Sequence, residues 1–420
     1  MKYFTVFFCV LLLPYCSLAE TLRLEVTADA GLSCERGHLA DNSGRSVSVP
    51  IRQNQNWSGF ETKAYLFRFD TEPVLGKSVE RAWLNVFLAR GDLFGIGVCT
   101  VLGTWEEGRG VNGQTGRGGV SWLWADEPRD PENPAPQCWW AWPGSGIYSV
   151  SWAHPDLIYR HVDSREIEKT DLGGARLHLR FPVEARQVAL LANGLAGGLI
   201  LTDDKGQVAE GLSLHGAGTP YVYDLSQDIY LFTREIQDPA LRPYLEAELA
   251  ETDETPPGSV GTIDVTGADP FDQSVSVAFT APAEDGGQGG PVIGYDVRWG
   301  TQAPEESSWT EASRLPLWSV PRPVMPGERQ SLRVMGLAPA GAIHLAVRAV
   351  DEAGNLGPVS RVQVTIPAEP DVELAIPEVS PEAEGSEGVK AGQVLELWAV
   401  SDLTKVDPLD GGILQDGDNY

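Results

Sequence analysis

The sequence predicts an all-β chain made of two β-sandwiches in series. Three observations carry that. Short runs with alternating apolar and polar residues recur between residues 22 and 250 and again beyond 274. The 46 glycines and 30 prolines supply frequent turn signals between those runs. Long stretches with the 3.6-residue period of a helix are almost absent. Many short strands broken by Gly, Pro and Asn predict a sandwich, of jelly-roll type in the longer first region.

The chain opens MKYFTVFFCVLLLPYCSLAE. Lys2 precedes an apolar run too short to span a bilayer, and Ser17-Leu18-Ala19 fits a small-x-small cleavage site. Residues 1–19 therefore read as a signal peptide, and the protein as secreted or displayed at the cell surface after cleavage near Ala19. A lipoprotein signal using Cys16 is the alternative, and Tyr15 is too bulky for it. No later stretch is long and apolar enough to span a membrane.

The first region, 20–250, reads as strands over LRLEVTA (22–28), SVSVPI (46–51), AYLFRFD (64–70), RAWLNVFLA (81–89) and GIGVCTVLGTW (95–105). ARLHLRF (175–181), QVALLA (187–192), GLILTD (198–203) and YLEAELA (244–250) continue the series. In AYLFRFD the alternation puts Tyr65, Phe67 and Phe69 on one face. Between these strands CWWAWPGSG (138–146) crowds Trp139, Trp140 and Trp142 into four positions of loop-like sequence. Buried, each indole would pin the proline-rich insertion at 125–137 to its own domain, at roughly 2–3 kcal/mol apiece. Exposed, an indole is a plane on which a sugar ring stacks. In an extended segment Trp140 and Trp142 share one side and Trp139 takes the other, so Trp139 is the expected outward indole. Trp124, Trp139, Trp142 and Trp152 are the candidate carbohydrate-binding residues.

KAYLFRFD (63–70), VERAWLNVFLA (79–89), VLGTWEEG (101–108), GGVSWLW (118–124), WWAWPGSG (139–146), GLILTDDKG (198–206) and RPYLEAEL (242–249) occur in an order that resembles the DNRLRE domain. That family is related to carbohydrate-binding module family 96. The resemblance implies a jelly-roll fold with a recurring set in which Trp105, Glu106, Trp122, Trp140 and Pro143 take part. It favours a structural role for the tryptophans that belong to the set.

Residues 251–257 read as an acidic, proline-containing linker with little to bury. In 258–367, SVSVAFTAPAEDGG (274–287), VIGYDVRWG (292–300), LRVMGLAPAG (332–341) and HLAVRAVDEAGNLGPVS (344–360) resemble a fibronectin type III domain. The resemblance implies an immunoglobulin-like sandwich that serves as a spacer, with Tyr295, Val297, Trp299, Leu345 and Val347 facing its core. Ile343 stands where the family places the tyrosine of its tyrosine corner. Residues 368–392, rich in Pro, Glu and Ala, read as a flexible acidic linker. Residues 393–420 read as the start of an incomplete further domain, and LWAVSDLTKVDP within them resembles the opening of family 123 glycoside hydrolases. That implies an N-terminal segment of a longer enzyme.

Fifty-nine acidic against 31 basic residues give a net charge of −28, which repels phosphate backbones and argues against nucleic-acid partners. The six histidines are scattered, with no metalloprotease or P-loop motif and no nucleophile elbow. No catalytic constellation is expected, and Glu106, placed by Trp105, is the best single carboxylate. Calcium is the candidate cofactor, with Asp29, Asp41, Asn42, Asp203 and Asp204 in loop-like positions. After cleavage three cysteines remain: Cys99 reads as a buried strand residue, Cys34 and Cys138 as the disulfide pair. The function these features predict is binding of extracellular polysaccharide by a non-catalytic segment of a larger secreted protein. A structural or adhesive surface protein without a glycan ligand is the rival expectation.

Overall fold

The computed structural model describes residues 20–35, 37–53, 62–93, 95–151, 154, 158–174, 176–202, 227–250, 252–270, 273–335, 337 and 341–366. The first region holds β1 (Thr21–Ser33), β2 (Ser48–Gln53), β3 (Lys63–Phe69), β4 (Val79–Arg90), β5 (Gly95–Val101) and β6 (Tyr159–Asp163). After these come β7 (Glu168–Gly173), β8 (Arg176–Val183), helix α1 (Ala185–Ala192), β9 (Gly198–Thr202), β10 (Gln227–Phe232) and β11 (Tyr244–Leu249). All pairings are antiparallel. β1 turns the corner of a two-sheet sandwich. Thr21–Glu25 pair with β11, and after a bulge between Val26 and Ala28 the strand pairs with β3 instead. One sheet runs β2-β10-β4-β11-β1, with β8 also on β4 and β7 beyond it; the other runs β1-β3-β9-β5-β6.

The alternation of β3 works as expected. Tyr65, Phe67 and Phe69 enter the core between the sheets, with Leu24, Leu84, Phe181 and Leu245. Ala64 and Leu66, on the opposite face, are also buried, beside Ala30, Cys99, Val101 and Ile200. The second sheet is thus covered on both sides. This is why β5 and β9 read as unbroken apolar runs.

QVALLA is helical, not extended. Glu184 caps α1, its side chain taking the Gln187 amide while the Gln187 side chain accepts the Glu184 amide (3.1 Å). Gln187 Nε2 then donates to the Val98 and Ile158 carbonyls (3.1 and 3.2 Å). The reciprocal cap and this buried amide need helical geometry, and they override the short apolar run's resemblance to a strand. β6 and β7 carry too little apolar patterning to stand out: every residue of β7 is exposed.

The second region holds β12 (Asp264–Asp269), β13 (Ser274–Thr280), β14 (Ala283–Asp285), β15 (Gln288–Pro291) and β16 (Gly294–Gly300). It ends with β17 (Ser313–Arg314), β18 (Arg329–Val334), β19 (Gly341–Val350) and β20 (Ser360–Ile366). A three-stranded sheet, β12-β13-β18, faces a four-stranded one, β17-β16-β19-β20, in a second β-sandwich. Tyr295, Val297, Leu345 and Val347 are buried in its core and Trp299 packs at the edge. Ile343 is buried in the same core. On the opposite face of β16, Asp296 accepts from Trp309 Nε1 (2.6 Å) and pairs with Arg298, Arg314 and Arg348.

The link between the regions buries more than its composition predicts. Pro257 is buried and Asn355 Nδ2 donates to Asp253 O (3.1 Å), while just past the link Val260 is buried and Gly258 donates to Ala283 O (3.0 Å). The two sandwiches also share a core, in which Leu190 and Leu195 lie with Ile293 and Val350. Residues 368–392 and 393–420, with the glycoside-hydrolase resemblance they carry, lie outside the described residues. No helix among the described residues is long and apolar enough to cross a membrane.

Candidate functional site

The outer face of the second sheet needs a lid, because Ala30, Leu66, Cys99 and Ile200 point away from the main core. Residues 102–151 form that lid with little regular structure, so bulky side chains must supply the apolar cover. Trp105, Trp122 and Trp140 do so, with Leu102, Val120, Ile147 and Val150. Two of the buried indole N–H groups find a carbonyl: Trp105 Nε1 donates to Gly197 O (3.0 Å) and Trp140 Nε1 to Ser121 O (3.1 Å). The Arg68 guanidinium lies 4.6 Å from the Trp105 ring centroid and donates to the Trp105 carbonyl. Gly108 and Gly119 let two passes of the lid cross. Both have positive φ, and a Cβ on Gly119 would fall 2.2 Å from Gly108 Cα.

CWWAWPGSG is not an extended segment, and the expectation built on alternation fails there. A short 3₁₀ turn, Pro136–Cys138, precedes it, and Trp142-Pro143-Gly144-Ser145 closes a tight turn, with Ser145 N donating to Trp142 O (2.9 Å). Proline at the second position and Gly144 at φ 89° suit a type II turn. The buried Ser145 hydroxyl accepts both the Ala141 and Trp142 amides (2.9 and 3.0 Å). Trp140 therefore points in, at 3% exposure, while Trp142 points out, at 50%. Trp139, expected outward, is half-buried against Trp124, their ring centroids 4.2 Å apart. Trp124 is itself buried. Trp152 lies outside the described residues. Of the three expected sugar-binding tryptophans among the described residues, Trp142 is the one presented to solvent. Its ring meets Trp318 of the second sandwich edge-on, centroids 5.6 Å apart. Trp318 was not singled out in the sequence. It sits in a short 3₁₀ turn, Leu317–Ser319, and His154 Nε2 contacts its carbonyl (2.8 Å).

Among the described residues, the expected calcium ligands Asp29, Asp41 and Asn42 are each engaged elsewhere. Asn42 is buried and saturated: Nδ2 donates to Glu107 O and Val120 O (2.8 and 2.7 Å), and Oδ1 accepts from Gly44 and Gly110 (3.2 and 2.7 Å). It is a strut of the lid, with no lone pair aimed at an ion. Asp41 pairs with His38 (2.7 Å), and Asp203 and Asp204 lie outside the described residues. Asp29 belongs to a separate buried network. Its Oδ2 accepts from Tyr65 OH (2.7 Å) and from the Arg234 amide (2.8 Å), while its own amide donates to Glu107 Oε1 (2.9 Å). Glu107 and Arg234 form a two-pronged ion pair (2.7 and 2.5 Å). The carboxylate near Trp105 that the structure engages is thus Glu107, held by Arg234 and the Asp29 amide, while Glu106 is exposed. With Glu107 held in the ion pair and Asp29 at 1% exposure, neither can reach a substrate.

Burial raises Asp29 to about 7, with the Glu107 charge adding to the rise and the Tyr65 and Arg234 hydrogen bonds opposing it. The unfolded chain's carboxyl titrates near 3.8, so the fold favours the protonated form. This contribution is complete below about pH 4 and lost as pH rises through 7. Thermal melts should show a Tm several degrees lower at pH 8 than at pH 5. Asp29→Asn should flatten part of that slope. The general charge repulsion of the acidic chain remains in both proteins, so equal slopes would refute the assignment.

The expected Cys34–Cys138 bridge is absent: Cys34, Cys99 and Cys138 are three separate buried thiols. Cys34 Sγ accepts the Thr62 amide (2.9 Å) at the end of β1, whereas Cys138 sits in the turn whose carbonyl takes the Ala125 amide. Each is fixed by its own local backbone. Cys99 lies in β5, as expected, and is fully buried.

No protein-family model matches the chain, and no curated protein matches it. Among solved structures it is similar to the twitchin kinase region from C. elegans, at 17% identity over 27% of this chain and 17% of that one, TM-score 0.18. It is similar to the FN1–FN3 domains of chicken CNTN1, at 17% identity over 34% of this chain and 50% of that one, TM-score 0.20. A glycoside hydrolase domain, Endo-D from Streptococcus pneumoniae R6, aligns at 10% identity over 83% of this chain and 37% of that one, TM-score 0.19. The chain spans half or less of the length of each.

Proposed function

We propose that the chain is an exported, non-catalytic polysaccharide-binding segment of a larger secreted protein, with Trp142 as its stacking surface. The observation that carries this is the half-exposed Trp142 indole, fixed by the Ser145 turn and braced by Trp318. A rigid exposed aromatic plane loses little entropy when a sugar ring covers it. The net charge of −28 directs the reading to neutral glycans, because an acidic polysaccharide would be repelled at long range. Trp142→Ala should keep stability within about 0.5 kcal/mol, because the side chain leaves no cavity. It should abolish retention on an insoluble neutral polysaccharide that holds the parent protein. A stable Trp142→Ala variant retained as well as its parent on every glycan tested would sink the proposal. That outcome would leave the structural or adhesive reading, which the inward packing of Trp124, Trp139 and Trp140 supports.

A further inference from the structure

Asp253, Asp351 and Glu352 meet where the link enters the second sandwich. One carboxylate oxygen from each lies within 4.8 Å of the other two. Asp253 belongs to the link, whereas Asp351 and Glu352 follow β19, so the group joins segments about a hundred residues apart in the chain. The Asn355 side chain latches the two segments by donating to the Asp253 carbonyl (3.1 Å). Asp351 is 0% exposed. Its Oδ1 accepts the Asn355 amide (2.7 Å), but its Oδ2 has no hydrogen-bond partner among the described residues, and neither has Glu352 Oε2. A buried carboxylate oxygen without a donor is costly, and two beside a third acid compound the cost. Burial and the charges of Glu284, Asp351 and Asp253 push Glu352 up to about 7. Arg186, whose charge reaches Glu352, donates instead to the Val292 carbonyl (2.6 Å).

We propose that Asp253, Asp351 and Glu352 bind a hard divalent cation, calcium in preference to magnesium, which clasps the link to the turn after β19. An all-oxygen donor set suits such an ion. Ligands from a link and a turn give the irregular geometry that calcium accepts and magnesium, bound to a near-ideal octahedron, does not. The ion would satisfy both orphaned oxygens and stiffen the joint between the two sandwiches. It stands apart from the Trp142 surface, so either proposal can fail alone.

The test is calorimetric titration of the full chain, stripped with EDTA, at constant ionic strength. Constant ionic strength matters because so acidic a chain attracts any cation diffusely. Calcium chloride should give one saturable step of about one ion per chain, with Kd in the roughly 10⁻⁴–10⁻³ M range of extracellular modules or tighter. Asp253→Asn and Glu352→Gln should each weaken it about tenfold or more, while Glu80→Gln, on exposed β4 sequence, should leave it unchanged. Asp351 is left intact because its Oδ1 also holds the turn. Calcium should also raise the Tm of the parent and not of the two site variants. No saturable step, or one that all three variants share, overturns the proposal. Magnesium binding as tightly as calcium overturns the stated preference.

Discussion

Trp140→Ala should destabilise the protein by about 3–5 kcal/mol, the range for removing a large buried side chain from a core that cannot collapse around the gap. Trp140 is packed with Trp105, Trp122, Ile147 and Val150 in the layer that covers the second sheet. The substitution opens a void over that sheet and leaves the Ser121 carbonyl without the indole N–H that it accepts. The neighbouring chain is poorly placed to fill the space, because the lid has few regular hydrogen bonds with which to shift as a unit. At roughly 2–4 °C per kcal/mol for a domain of this size, the midpoint should fall by about 6–20 °C. Trp140→Phe should recover part of the loss, since it keeps an aromatic ring and forfeits the hydrogen bond. Thermal or urea melts decide it. A loss under about 1 kcal/mol for Trp140→Ala would mean that the lid contributes little, and the assignment of these tryptophans as cover would fall. Set beside Trp142→Ala, two positions away and nearly neutral, the pair measures how sharply the turn at 142–145 divides inside from outside.

Arg234→Met should cost about 3 kcal/mol. Removing one partner of a buried ion pair typically costs about 3–5 kcal/mol, because the other charge stays behind unpaired. The Arg234 side chain keeps 27% of its surface exposed, so solvent takes up part of that. The stranded group would be the Glu107 carboxylate, which already repels Asp29 across their shared network. Adding Glu107→Gln should restore much of the stability. A glutamine carries no charge to strand, and its oxygen can still accept the Asp29 amide. The double variant should therefore be more stable than Arg234→Met alone. A double variant that is less stable than the single one would show that Arg234 acts through packing and not through its pairing with Glu107.

Sequence alone was enough for what depends on near neighbours. Alternation placed Tyr65, Phe67 and Phe69 on one face of β3, and both sandwiches were legible from runs of that kind and the turns between them. The tryptophans of the lid could be recognised as covering groups because a proline-rich loop cannot bury its backbone unaided. The inward or outward direction of each indole was not legible. The period-2 rule presupposes an extended chain, and hydrogen bonds from the Ala141 and Trp142 amides to the Ser145 hydroxyl bend this one into a turn. The same limit applied to QVALLA: its Glu184–Gln187 cap is local, but the Gln187 contacts with the Val98 and Ile158 carbonyls that fix the helix come from segments about 89 and 29 residues away. Tertiary structure alone chose Glu107 over Glu106, because Arg234 reaches it from 127 residues away. It likewise brought Trp318 to Trp142, and Asp253 to Asp351 and Glu352. A sequence records which residues follow one another, and a periodic pattern extends that record by a turn or a strand. Charges and rings that meet across a hundred residues leave no mark at that range, because their meeting is decided by how the sheets close.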